Sequence, residues 1–175
     1  MQNHALRNGL IMGLGCIALT LVFYFISPSM MISWGSWISY AVILFFMYKT
    51  IKDIRDDNGG FISLGDGFKN SWISYIIGMT LSSLFSFVLI NYIDTSLLDI
   101  IREEQVKALE KMGSMFNLPE EDLQKQIEAI ESTNPFSPAT FLLGILVSFI
   151  FPGSLIALIM AAIMKKNNPE QYRSV

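Results

Sequence analysis

NSWISYIIGMTLSSLFSFVLINYI, residues 70–93, runs for 24 residues without an Asp, Glu, Lys, Arg or His. As a helix it rises about 36 Å, enough to cross the ~30 Å hydrocarbon core of a bilayer. Ionisable side chains are missing in the same way from residues 8–48 and 132–164. The first of these runs is long enough for two spans, and Ser27-Pro28-Ser29 divides it with a short turn. The expected spans are therefore about 9–26, 31–48, 70–93 and 137–164. The fold class this predicts is all-α: an integral membrane four-helix bundle forming a single domain over residues 1–175.

The rest of the composition agrees. The 175 residues are 52% hydrophobic and 15% charged, less charge than a soluble domain carries. A net charge of −3 with no basic patch gives no reason to expect nucleic acid. Cys16 is the single cysteine, which excludes an intrachain disulfide and a cysteine metal site. His4 and Arg7 precede an apolar run as in a signal peptide. That run continues to Ile26 with no small-x-small site after it, so a retained first span is expected.

Orientation follows from the basic residues. Arg7, Lys49, Lys52, Arg55, Lys69, Lys165, Lys166 and Arg173 fall on one side of the expected membrane, mostly close to span ends. Arg102, Lys107, Lys111 and Lys125 fall on the other, in a segment where ten acids outnumber them. The positive-inside bias then places both termini in the cytoplasm. Trp34, Trp37 and Tyr40 open the second span as interfacial aromatics.

Residues 94–134 read as an extracytoplasmic amphipathic helical hairpin between the third and fourth spans. Leu98, Ile101, Ala108, Leu109, Met112 and Phe116 mark one face of its first helix, and Ser96-Leu97-Leu98-Asp99 is a candidate cap. Pro119 followed by Glu120, Glu121 and Asp122 starts the second helix, whose face is Leu123, Ile127 and Ile130. The two faces either cover each other or seek a partner, so Leu109, Met112, Phe116, Leu123, Ile127 and Ile130 form the candidate partner surface. A continuous helix from the third span into this segment is the alternative, since neither proline nor glycine interrupts residues 79–112.

Within lipid, helices associate through small residues that let backbones approach. Ser74, Gly78, Ser82 and Ser86 recur every four residues in the third span, Gly144 and Ser148 and then Gly153, Ala157 and Ala161 follow in the fourth, and Gly9 and Gly13 lie in the first. They predict tight packing of the third and fourth helices, or a homo-oligomer. Pro152 leaves the Ser148 carbonyl without its amide partner and is the candidate kink. Ser63-Leu64-Gly65-Asp66 resembles a capping box with Asp for Glu.

No ionisable residue lies within an expected span, which disfavours proton or sodium coupling through buried carboxylates. No zinc-protease, Walker or nucleophile-elbow motif occurs, and the lone His4 is expected near a frayed terminus. The sequence predicts no catalytic, cofactor or metal residues and a protein that is not an enzyme.

The loop at 54–69, IRDDNGGFISLGDGFK, resembles that of a family of small bacterial membrane proteins catalogued as domain of unknown function 4199. The likeness extends to an early helical hairpin, an acidic helical insert before the last span, and a last helix ending at Met164-Lys165-Lys166. The resemblance implies a four-helix membrane domain and carries over no site residues. The leading functional expectation is a multi-pass protein acting through contacts with a membrane-protein partner or its own copies. The runner-up is a small oligomeric transporter or channel near the Pro152 kink and the serine-rich third span.

Overall fold

The structure, a computed structural model, describes residues 3–167, and within them not the side chains of Ile32, Trp34 and Ser36. The expected interfacial Trp34 ring and the basic Arg173 lie outside what is described. Every regular element among the described residues is helical, apart from one isolated bridge between Ile62 and Lys166. Helix α1 spans His4–Ile26, α2 Pro28–Asp57 and α3 Leu64–Val88, the last continuing as a π-helical turn over Leu89–Ile93. Then come α4 (Leu97–Phe116), α5 (Glu120–Ser132), α6 (Pro138–Ser148), a π-helical segment (Phe149–Ser154) and α7 (Leu155–Met164). Three helical stretches are long and apolar enough to cross a membrane: His4–Ile26, Leu64–Ile93 and Pro138–Met164.

Local chemistry sets the ends. Asn3 caps α1 by accepting the Leu6 amide, and Ser63 caps α3 by accepting the Asp66 amide while its hydroxyl donates to the Asp66 carboxylate. Pro28 and Pro138 occupy first-turn positions of α2 and α6, where a missing N–H costs nothing. Asn117 adopts the left-handed conformation that ends α4. The continuous third-to-fourth helix is excluded, because Asp94 leaves helical geometry at φ −140°, ψ 89°. Ser96 does not cap α4 with its side chain, contrary to the sequence expectation. Instead Asp94 accepts both the Ser96 amide and hydroxyl, a local turn that outcompetes the cap.

The tightest crossing joins α1 to α3. A Cβ added at Gly78 would lie 2.9 Å from the Gly9 carbonyl oxygen and 3.3 Å from the Gly13 amide nitrogen. One added at Gly9 would lie 2.8 Å from the Ser74 carbonyl oxygen. Helix α2 lies against both, and the hydroxyl of the fully buried Thr50 donates to its own Phe46 carbonyl at 2.8 Å and, its proton spent, accepts from the Ser74 hydroxyl at 3.2 Å. Met12, Cys16, Ile43, Met47, Tyr75 and Ala157 form the central core. The small-residue stripe of α3 therefore divides: Gly78 and the Ser74 backbone face α1, the Ser74 hydroxyl turns to Thr50 of α2, and Ser82 and Ser86 border a cleft. Helix α7 meets α3 through other positions, with a Cβ at Gly67 3.2 Å from that of Ala161, and Gly153 pressed against the Tyr75 ring.

At one end of the bundle the loop after α2 is tied to the residues following α7. Ile62 and Lys166 exchange backbone hydrogen bonds of 2.9 and 3.0 Å, and the Lys166 ammonium stands 5.5 Å from the Phe61 ring centre. At the other end Leu97 and Ile101 of α4 are buried against Leu89 and Ile90, with Tyr24, Met31 and Phe85 around them. Helix α6 fully buries none of its residues, and Leu142, Leu143, Leu146 and Val147 are all exposed.

Candidate functional site

Three features carry the chemistry that the chain does have. The first lies where α1 and α2 meet near the tied loop. The Asp53 carboxylate accepts from Arg7 at 2.8 Å, from Lys49 at 2.9 and 3.0 Å, and from the side-chain amide of Asn8 at 3.0 Å. His4 is not at a frayed end: it is only 8% exposed, and its Nε2 lies 2.7 Å from the Asp57 carboxylate. Residues more than forty positions apart in sequence build this clasp, so no local motif announced it.

Burial alone would raise the Asp53 carboxyl, but hydrogen bonds from Asn8 and Lys49 and the charges of Lys49 and Arg7 outweigh it and hold it below its ordinary value of 3.8. A depressed carboxylate contributes stability above its unfolded-state value, and that contribution disappears as pH falls through the folded-state value. Thermal stability in detergent is therefore expected to drop as pH is lowered through and below the ordinary carboxylate range. Asp53→Asn should be less stable at neutral pH and should flatten that part of the profile; an unchanged profile would show that the clasp does not titrate as described.

The second feature is the break in the last helical stretch. Phe151 has φ −140° and ψ 123°, just before Pro152. The carbonyls freed there are taken by α3: the Tyr75 hydroxyl donates to the Ser148 oxygen at 3.2 Å and the Trp72 indole N–H donates to the Phe149 oxygen at 2.9 Å. A neighbouring helix thus satisfies the backbone that proline releases. Sequence spacing flagged Pro152 but not the two aromatic donors, which lie on a different helix.

The third feature is the region around α4 and α5. A cleft of about 460 Å³ opens between α1, α2 and α3, roofed by Ile101 and Gln105 of α4 and walled by Phe136 and Phe141. The Tyr24 hydroxyl donates to Asp94 at 2.9 Å beside it, fixing the junction that leads into α4. Helices α4 and α5 pack together where a Cβ on Gly113 would meet the Leu123 side chain at 3.0 Å. Of the candidate partner surface, Leu109, Leu123, Ile127 and Ile130 are half-buried, while Met112 and Phe116 are exposed. Met115, 68% exposed like Phe116, extends that tip from the same face of α4, as does Leu118 in the turn after it; the sequence reading named neither.

The described residues contain no group of three or more His, Cys, Asp or Glu placed to hold a metal ion. The profile of the family described as "Protein of unknown function (DUF4199)" matches residues 7–166. The chain belongs to the DUF4199 family. That match runs from Arg7 of the clasp to Lys166, the residue that ties the tail to the acidic-glycine loop. No curated protein and no solved structure matches the chain.

Proposed function

We propose that this DUF4199 protein is a multi-pass protein of the bacterial inner membrane that acts without catalysis, by engaging a membrane-protein partner through the α4–α5 hairpin. In this reading α2 is a fourth span, both termini are cytoplasmic, and α4 and α5 project on the opposite side. The observation that carries the reading is the tip formed by Met112, Met115 and Phe116, three large apolar side chains left exposed at 52%, 68% and 68%. Acids outnumber bases ten to four across 94–134, so the fitting partner presents an apolar pocket with a basic rim. The aromatic and methionine side chains at the tip are types enriched at interface cores.

The transporter reading draws less support. The break at Pro152 is the natural place for a substrate pathway, yet its freed carbonyls accept hydrogen bonds from Trp72 and Tyr75. Those same groups would have to be open to coordinate a solute.

Affinity purification of the full chain from crosslinked native membranes tests the proposal. Met115→Asp with Phe116→Asp is expected to weaken recovery of a stoichiometric partner by more than about tenfold, as loss of interface anchors does. Leu109 and Ile127 are poor choices for this test because they are half-buried in the hairpin and their loss disturbs its folding. Unchanged recovery, or an assembly made only of this chain, would overturn the partner reading.

A further inference from the structure

The cleft under α4 has the size and lining of a small-molecule site. Its volume of about 460 Å³ lies inside the range of roughly 300–1,000 Å³ typical of such sites. From Ile90 to Met79 its α3 wall descends about 16 Å, half the thickness of a bilayer core. Rings and aliphatic chains make most of the surface, including Phe23, Met79 and Phe141. No Asp, Glu, Lys, Arg or His among the described residues lines it.

Its polar groups are all neutral; Thr20, whose hydroxyl donates to the Cys16 carbonyl, lies with Ser39, Tyr40 and Ser83 among the rings, and three more stand toward α4. Ser82 and Ser86 stand one helical turn apart, about 6 Å along the axis, with Gln105 at the same mouth. The Ser82 hydroxyl spends its proton on the Met79 carbonyl, so what it presents to the cleft is lone pairs. An occupant must therefore donate as well as accept, which a hydroxyl does. A charged head would lose its hydration with no counter-charge to meet it.

We infer that this cleft binds an uncharged amphiphile whose head carries hydroxyl groups, of the monoacylglycerol kind. The head sits against Ser86, Ser82 and Gln105, and the chain lies along Phe23, Met79 and Phe141. The cleft is open on one side, so a chain longer than the cavity continues into the surrounding lipid. The inference rests on a membrane setting for the helices and not on the partner surface, so failure of either leaves the other standing.

The full chain in phosphatidylcholine vesicles, irradiated with a monoacylglycerol bearing a diazirine in its chain, provides the test. Adducts are expected within 79–90 and near Ile101 and Gln105, and excess unlabelled monoacylglycerol should suppress them. The matching fatty acid, held at a pH where it is ionised, should label at least about tenfold less. Ser86→Leu, which fills the cleft, should reduce labelling to the level seen on α6. Ser86→Ala keeps the space but removes one hydrogen-bonding group, and should lower labelling about fivefold. Labelling that does not saturate, that is equal for the anion, that matches the level at Leu142 and Leu146, or that ignores both substitutions would overturn the inference.

Discussion

Gly78→Leu is expected to destabilise the bundle by about 3 kcal/mol, the upper part of the usual range for overpacking. The Met12 methyl that an added Cβ would run into can swing aside. The Gly9 carbonyl and Gly13 amide on the other side are backbone, and they move only if α1 as a whole moves. Since helices in lipid gain little from apolar burial, close approach is the main source of their association, and widening the α1–α3 crossing removes it. Reversible unfolding in mixed micelles reads the effect. Gly144→Leu is the control, because a Cβ there meets nothing within 4 Å. Equal losses for the two variants would show that α1 and α3 do not cross at these glycines.

Leu97→Ala should act at the other end and on a different part of the molecule. Leu97 is fully buried among Leu89, Ile90 and Ile101, where it holds α4 against the ends of α1 and α3. Truncating such a leucine costs about 3 kcal/mol, lost transfer energy plus the cavity left behind. Here the loss should fall mainly on docking of the hairpin. Amide exchange in α4 and α5 should speed up by roughly 10²-fold while α1 and α3 keep their protection, since sub-global openings carry their own free energies. Uniform acceleration across all helices would mean that Leu97 supports the whole bundle instead.

Both substitutions mark where sequence reading stops. The charge-free runs made the apolar helices legible, because their length and lack of ionisable groups admit few other readings. Helix α2 extends past the expected span to Asp57 because Lys49 with Asp53 and Lys52 with Asp56 support its polar end as i,i+4 pairs. Spacing also identified the small-residue stripe of α3, but a stripe names a face and not its mate. The sequence pointed to the last span, and Gly153 and Ala161 do meet α3, but at Tyr75 and Gly67, whereas Gly78 and the Ser74 backbone meet α1. The clasp around Asp53 and the donors Trp72 and Tyr75 were illegible for a related reason. Each depends on side chains brought together from distant positions, and none leaves a periodic signal. The cleft is a gap between helices and has no sequence signature at all.

In the proposed topology the chain crosses the membrane four times, with α4 and α5 on the far side from the termini. Single cysteines at Asn58→Cys and Glu128→Cys, in a Cys16→Ser background, test it in spheroplasts with a membrane-impermeant maleimide. Glu128→Cys should react in intact spheroplasts and Asn58→Cys only after lysis. Reaction of Asn58→Cys from outside, or protection of Glu128→Cys until lysis, would contradict the account.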